Sequence, residues 1–89
     1  MKIKIIFHGD DDRELILKGR SAWTLSKLKE AGQRGITVLD NPAPALACYI
    51  HKLRLQGIEI STEMERHGGE FAGHHARYRL QTELTMVFI

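Results

Sequence analysis

The chain is poor in the features that mark secreted and membrane-spanning proteins. It contains a single cysteine, Cys48, so no disulfide can form within the chain. No apolar run approaches the roughly 20 residues that a helix needs to cross a bilayer. Residues 1–7 alternate charged and apolar side chains and lack the continuous apolar centre of a signal peptide. We therefore expect a cytoplasmic protein without a membrane partner.

The sequence also lacks the spacings that metal and catalytic sites require. There is no Cys-x-x-Cys, and adjacent His74 and His75 would point to opposite faces of a strand, so we predict no metal site. His8 and Asp10-Asp-Asp12 would suit a hydrolase or nuclease, but the acidic run is typical of a solvated turn. Cys48 lies in an apolar segment, where a buried, inert thiol is expected. We predict no enzyme activity and no cofactor.

Length and composition are those of one globular domain. The 89 residues suffice for a single modest core, and the apolar share of 43% and charged share of 27% are ordinary. The net charge of +2 identifies no partner by itself, because nucleic-acid binding depends on a local basic patch.

The two ends of the chain have the pattern of β-strands. Residues 2–8 alternate in a way that predicts a strand with one buried face. Gly9-Asp-Asp-Asp12 favours a tight turn, and residues 13–18 can pair back, although their Leu-Ile-Leu run could also lie in a helix. Residues 81–89 are expected to form a further strand that pairs with the N-terminal strand or packs against a second copy.

A first helix is predicted after this hairpin. Ser21 is a suitable N-cap, because its hydroxyl can accept from an unpaired amide in the first turn. Trp23 is expected in the core, and Gly32 and Gly35 end the helix.

The next segment predicts a short or absent second helix and a third helix from about 44 to 56. Thr37 can cap one short turn, and Pro42 cannot lie deep in a helix. The third helix has an apolar face formed by Leu46, Ile50 and Leu53.

Residues 58–80 predict a β-hairpin. Residues 58–62 and 75–80 alternate as strands, and residues 66–73 form a glycine-rich loop. A basic helix followed directly by a β-hairpin is an arrangement in which the helix enters a groove of DNA and the hairpin touches the backbone.

The third helix supplies the first group of predicted DNA contacts. Lys52 can reach a phosphate or a guanine edge, Gln56 an adenine edge, and Tyr49 a phosphate or a thymine methyl group. His51 and Arg54 lie on the flank, where backbone contacts are usual.

The hairpin supplies the second group. Arg66, Arg77 and Arg79 can place cations against phosphate, and Arg66 and His67 at the tip suit the minor groove. The alternative is a structural hairpin whose arginines pair with carboxylates, since exposed pairs of this kind contribute only about 0–1 kcal/mol. The available carboxylates are Glu63, Glu65 and Glu70.

The chain resembles the small winged-helix domain proteins of bacterial and prophage genomes over residues 20–80. The resemblance implies a winged-helix fold and DNA binding. The segments that carry it are Trp23-Thr-Leu25, Ala31-Gly32, Gly35-Ile-Thr37, Asp40-Asn-Pro-Ala-Pro44, Tyr49-Ile-His-Lys-Leu-Arg54 with Gly57 and Ile60, His67-Gly-Gly-Glu-Phe-Ala-Gly73 and His75-Ala-Arg-Tyr-Arg-Leu80.

These observations predict an α+β fold: a winged helix-turn-helix with an N-terminal β-hairpin and an extra C-terminal strand. We expect it to bind double-stranded DNA, as a transcriptional regulator or a phage or mobile-element accessory factor, and to form a homodimer. The alternative is a winged helix that binds a protein partner, such as a viral inhibitor of a host complex. The expected single domain, 1–89, comprises a hairpin (1–19), a helical part (20–57), a wing (58–80) and a C-terminal strand (81–89).

Overall fold

A computed structural model describes residues 1–9, 13–40, 45–69 and 73–89. No helix among these residues is long and apolar enough to cross a membrane. The elements in chain order are β1 (Lys2–Phe7), β2 (Glu14–Lys18), α1 (Gly19–Ala31), a 3-10 turn (Gly32–Arg34), α2 (Leu46–Leu55), β3 (Ile60–His67), β4 (Gly73–Leu80) and β5 (Leu84–Phe88).

The chain termini share one antiparallel sheet with the order β2-β1-β5. Ile3, Ile5 and Phe7 of β1 are buried, as the alternating sequence predicts. The predicted N-terminal hairpin is therefore confirmed, and so is the expectation that the C-terminal strand pairs with β1. The predicted acidic turn at Asp10-Asp-Asp12 lies outside the described residues.

Helix α1 begins two residues before the predicted cap. It starts at Gly19, whose N–H donates to the Met1 carbonyl, and no side chain caps it. The prediction that Ser21 is the N-cap is thus wrong, because the chain turns from β2 directly into the helix. Gly32 ends α1 as predicted, with a left-handed φ of 57°.

The tryptophan prediction also needs correction. Trp23 is only half-buried, whereas the neighbouring Thr24 is fully buried and donates from its hydroxyl to the Arg20 carbonyl. Because the inward face of α1 is formed by Ala22, Thr24, Leu25 and Leu28, the large indole lies at the margin of the core, against the Arg20 guanidinium.

A capped turn stands where a second helix would be. The Thr37 hydroxyl accepts from the N–H groups of Leu39 and Asp40, which confirms the predicted short turn. Residues 41–44, including both prolines, lie outside the described residues. Helix α2 then begins at Leu46, slightly later than predicted, and buries Leu46, Ile50 and Leu53 as expected.

Strands β3 and β4 form a long hairpin. Their pairing continues to His67 and Gly73, so the predicted loop over residues 66–73 is too long. Ile36 and Tyr78 exchange two backbone hydrogen bonds of 2.9 Å, which join the hairpin to the segment after α1. This short bridge fixes the base of the hairpin against the helices.

Gly35 permits this close approach of the hairpin. It has a φ of +70°, and a Cβ built there would lie 2.5 Å from the Tyr78 carbonyl oxygen. Gly32 has a similar φ of +57° but faces open space. Comparing the same substitution at the two glycines therefore distinguishes the cost of backbone strain from the cost of steric crowding.

We predict that Gly35→Ala destabilises the fold more than Gly32→Ala. Both substitutions place an L side chain at a positive φ in a sparsely populated backbone region, which costs about 1–3 kcal/mol, and Gly35→Ala adds about 1–3 kcal/mol of overpacking. Urea unfolding of the two variants beside the wild type measures the difference. Equal losses of stability would contradict the crowding of Gly35 against β4.

Candidate nucleic-acid interface

Helix α2 presents a basic face to solvent. Its ten residues contain no carboxylate, and its last turn carries Lys52 and Arg54. His51, Lys52, Arg54 and Gln56 are exposed, and Tyr49 is half-buried. The predicted helix contacts therefore lie outside the buried apolar face of α2, and Gln56 directly follows the last residue of the helix. Cys48, which was expected to be buried, is exposed on this helix.

Tyr49 and Lys52 interact with each other one turn apart on α2. The Lys52 Nζ lies 5.2 Å from the centroid of the Tyr49 ring, within the range of a cation–π contact. The ring can hold the lysine stem in place while the ammonium remains in water. This arrangement offers a cation and a phenol hydroxyl together at one point of the helix surface.

Arg54 connects α2 to the hairpin. Its Nη2 donates to the Ile60 carbonyl and to the Thr62 hydroxyl, both at 2.7 Å. At the end of the same helix, the Arg13 guanidinium donates to the Gln56 carbonyl. Cations are favourable at a helix C-terminus because they complement the helix dipole. Arg54 thus positions the hairpin, and its predicted DNA contact stays a prediction.

The hairpin has two faces of different character. Side chains alternate along a strand, and directly paired residues share a face. Because Arg54 reaches Thr62, the face that contains Thr62 lies on the side of α2. We call this the helix-side face; its members are Ile60, Thr62, Met64, Arg66, His74, Ala76, Tyr78 and Leu80.

The opposite face carries paired charges. The Arg77 Nε lies 2.7 Å from Glu65 Oε2, and the Arg79 Nη1 lies 3.0 Å from Glu63 Oε1. Each arginine also donates to a backbone carbonyl of the 3-10 turn at 2.8 Å, Arg77 to Arg34 and Arg79 to Gln33. We call this the paired-charge face; in this structure its arginine charges are offset by carboxylates.

The Glu65 carboxylate is the centre of this network. It accepts from Arg77 and approaches His75 Nε2 at 3.0 Å. The pKa of Glu65 is lowered from its ordinary value of 4.5, chiefly by the hydrogen bond from Arg77. Desolvation opposes this shift, and the hydrogen bond from His75 adds to it. The same hydrogen bond raises the pKa of Arg77.

Two histidines extend the network towards the hairpin tip. The Nδ1 atoms of His67 and His75 lie 2.9 Å apart, so one ring donates and the other accepts. His67 therefore lies on the paired-charge face, away from Arg66. No group of three or more His, Cys, Asp or Glu side chains in the described part of the chain is arranged to hold a metal ion.

Near the hairpin tip, the helix-side face carries a cation that is not offset by a carboxylate of the described residues, unlike the arginines of the paired-charge face. Arg66 and His74 are exposed cross-strand neighbours, and Arg66 makes no ion pair with any residue that the structure describes. Met64 is also exposed on this face, at 63%. Arg66 thus has a guanidinium available for a partner on the same side as α2.

The predicted site residues therefore divide between two sides of the hairpin. Tyr49, His51, Lys52 and Arg54 belong to α2, Gln56 directly follows it, and Arg66 lies on the face of the wing that Arg54 contacts. Arg77, Arg79 and His67 lie on the opposite face. Once the register is known, the alternation of side chains along the strands places Arg66 and Arg77 on opposite faces of the hairpin. No local sequence pattern indicates that Arg77 and Arg79 donate hydrogen bonds to the 3-10 turn.

Comparisons with known proteins give one positive result. A family model described as a winged helix domain matches residues 14–89. No curated protein and no solved structure matches the chain.

We predict that the Glu65 network makes stability depend on pH below the ordinary carboxyl pKa. Because the folded pKa is lowered, the unfolded chain binds more protons; the stabilisation is present above about pH 4.5 and is lost as the pH falls through the folded pKa. Urea unfolding from pH 7 down to pH 3 should show a shallower acid loss for Glu65→Gln than for the wild type.

Glu59→Gln provides the matched control for this measurement. Glu59 is exposed and makes no ion pair within the described residues, so its replacement removes a carboxylate without touching the network. We expect Glu59→Gln to retain the acid limb of the wild type. An acid limb that is the same in Glu65→Gln and the wild type would show that the network does not stabilise the fold.

Proposed function

We propose that this protein, which belongs to the winged helix domain family, binds double-stranded DNA through the exposed face of α2 and the helix-side face of its wing. The family match confirms the winged helix fold predicted from the sequence. DNA binding is the general function that such a domain suggests. The observation that carries the proposal is the solvent face of α2, which presents cations and no carboxylate.

The proposed role of α2 is to enter the major groove. Lys52, held by the Tyr49 ring, would reach a phosphate or a guanine edge, and Gln56 would meet an adenine edge. His51 and Arg54 would flank these contacts at the backbone. Arg54 would also keep the helix and the wing in register with one another, since it already bonds β3.

The proposed contribution of the wing depends mainly on Arg66. Its exposed guanidinium lies on the same side of the hairpin as α2, where a duplex seated on the helix would pass. Arg77 and Arg79 would act indirectly, by holding the wing to the 3-10 turn. They would contact DNA directly only where a phosphate replaces their carboxylate partners. His67 would contribute at the tip of the wing, from the face opposite Arg66.

The finer assignment is a transcriptional regulator or an accessory factor of a phage or mobile element, acting in the cytoplasm. The protein combines an exposed basic helix with a modest net charge of +2. This combination favours contact with a duplex at one local site over non-specific binding along nucleic acid. Specificity would come from base edges, since phosphate contacts alone carry no sequence information.

A protein partner is the second candidate function. It is favoured by the neutralised arginines of the paired-charge face and by the exposed Met64 on the opposite side of the wing. Neutralised charges on one face and an exposed apolar side chain on the other are each more typical of a protein contact than of a phosphate contact. Binding to such a partner would depend weakly on salt.

We predict that Lys52→Ala weakens binding to random-sequence duplex and lowers the steepness of its salt dependence. The loss of one phosphate contact should reduce the slope of log K against log salt by about 0.9. Fluorescence anisotropy between about 50 and 200 mM salt measures both quantities. Arg66→Ala should give a similar change.

Lys27→Ala is the control for this experiment. Lys27 lies on α1 and pairs with Glu30, so its removal changes the net charge by the same amount without altering α2. We expect the control to bind duplex like the wild type. Equal effects of Lys27→Ala and Lys52→Ala would move the interface away from α2, and wild-type binding that does not respond to salt would favour a protein partner.

A further inference from the structure

Strand β5 has an open edge. Ile89 donates its N–H to the Lys2 carbonyl and His8 donates to the Glu83 carbonyl, so in this antiparallel register the odd-numbered residues of β5 bond to β1. The backbone groups of Leu84, Met86 and Phe88 therefore point away from the sheet. Lys29 Nζ confirms this direction, since it reaches the outward Leu84 carbonyl at 2.9 Å.

In the described part of the chain, the outward backbone groups of this edge receive one hydrogen bond, from Lys29, and those of Met86 and Phe88 receive none. Edge strands are usually protected by charges, proline, bulges or a covering element. The five residues of β5 are Leu-Thr-Met-Val-Phe, without a charge or a proline. Phe88 is 66% exposed, and Lys29 bonds only the Leu84 carbonyl, which has a second lone pair.

An apolar groove runs beside this edge, between β5 and α1. Its volume is about 730 Å³, and Trp23, Met86 and Phe88 contribute its apolar lining. Leu84, Met86 and Phe88 share one face of β5, because side chains alternate along a strand. A strand added to the edge would direct the corresponding side chains into the same groove.

We propose that a second copy of this chain occupies the edge, with β5 pairing antiparallel to β5 of its partner about a two-fold axis at Met86. In this register Met86 faces its own copy and Leu84 faces Phe88 of the other chain. All outward N–H and C=O groups then find partners, as an isologous interface requires. The two sheets, each ordered β2-β1-β5, become one continuous sheet.

Charge placement selects a second copy over an unrelated strand. On the outer face of the sheet, Lys2 and Lys18 are directly paired like charges, and neither makes an ion pair with a described residue. Glu83, just before the other end of β5, likewise makes no ion pair with a described residue. Opposite like charges in a sheet are unfavourable, so a nearby carboxylate would relieve the lysines.

The proposed register supplies this carboxylate. It sets Glu83 of one chain opposite Ile89 of the other, and Ile89 is bonded to Lys2. Glu83 and Lys2 of different chains are then two strand spacings apart, about 9–10 Å between backbones, which long side chains span. Within one chain six residue positions separate them along the sheet, about 20 Å, so only the dimer brings them together.

Charge reversal tests this register. At low salt and micromolar concentration, Glu83→Lys and Lys2→Glu should each weaken the dimer roughly three- to thirtyfold, since attraction at two symmetric sites becomes repulsion. The double variant Glu83→Lys/Lys2→Glu should restore wild-type association. Sedimentation velocity measures the dimer fraction, and circular dichroism checks that each variant is folded.

A second pair of variants tests the edge independently. Phe88→Lys should give a folded monomer, whereas Ile16→Lys, an exposed apolar position at the opposite edge strand β2 with 51% exposure, should remain dimeric. A monomeric wild type, an unrestored double variant or equal effects of Phe88→Lys and Ile16→Lys would each overturn the proposal. The inference does not depend on DNA binding, because its readout is molecular mass in the absence of DNA.

Discussion

The attachment of the hairpin to the 3-10 turn is the constraint on which the rest of the structure depends. Ile36 and Tyr78 exchange backbone hydrogen bonds, and the arginines on either side of Tyr78 donate to the carbonyls of Arg34 and Gln33. These contacts are possible only because Gly35 lets the two backbones meet. The projection of the wing relative to α2 therefore follows from one short segment of the chain.

This attachment divides the basic residues between two tasks. Arg77 and Arg79 are held between carboxylates and backbone carbonyls, and so they serve the position of the wing. Lys52 and Arg66 remain exposed on the side of α2. A duplex that meets α2 would thus encounter these exposed cations, while the paired charges face away from it. Net charge is a poor guide to such a surface because it averages the two sides.

Local patterns predicted most of the fold, and long-range contacts account for what they missed. Alternation fixed the terminal strands, and the Leu46, Ile50 and Leu53 spacing fixed the inward face of α2, because both periodicities are properties of the backbone. The predictions for the start of α1 and for the burial of Trp23 were wrong, because the Met1 carbonyl and the packing of the sheet determine these two features. No local pattern encodes those contacts.

The candidate site was predictable to the same degree. The exposure of Lys52 follows from helical spacing alone. The hydrogen bonds of Arg54 and Arg77 to backbone carbonyls do not, because the direction of those carbonyls is set by the assembled fold. The alternative that the sequence offered, arginines paired with carboxylates, holds for Arg77 with Glu65 and Arg79 with Glu63. Arg66 has no such pair among the described residues, and Glu70 lies outside them.

Backbone amide shifts measured by NMR during titration with a short duplex test the central claim most directly. The account predicts that shifts concentrate in residues 49–56 and around Arg66, on one side of the wing. Residues 33–36 and their partners on β4 should move little, since they form the support of the wing. Shifts confined to the paired-charge face, with α2 unchanged, would contradict the account.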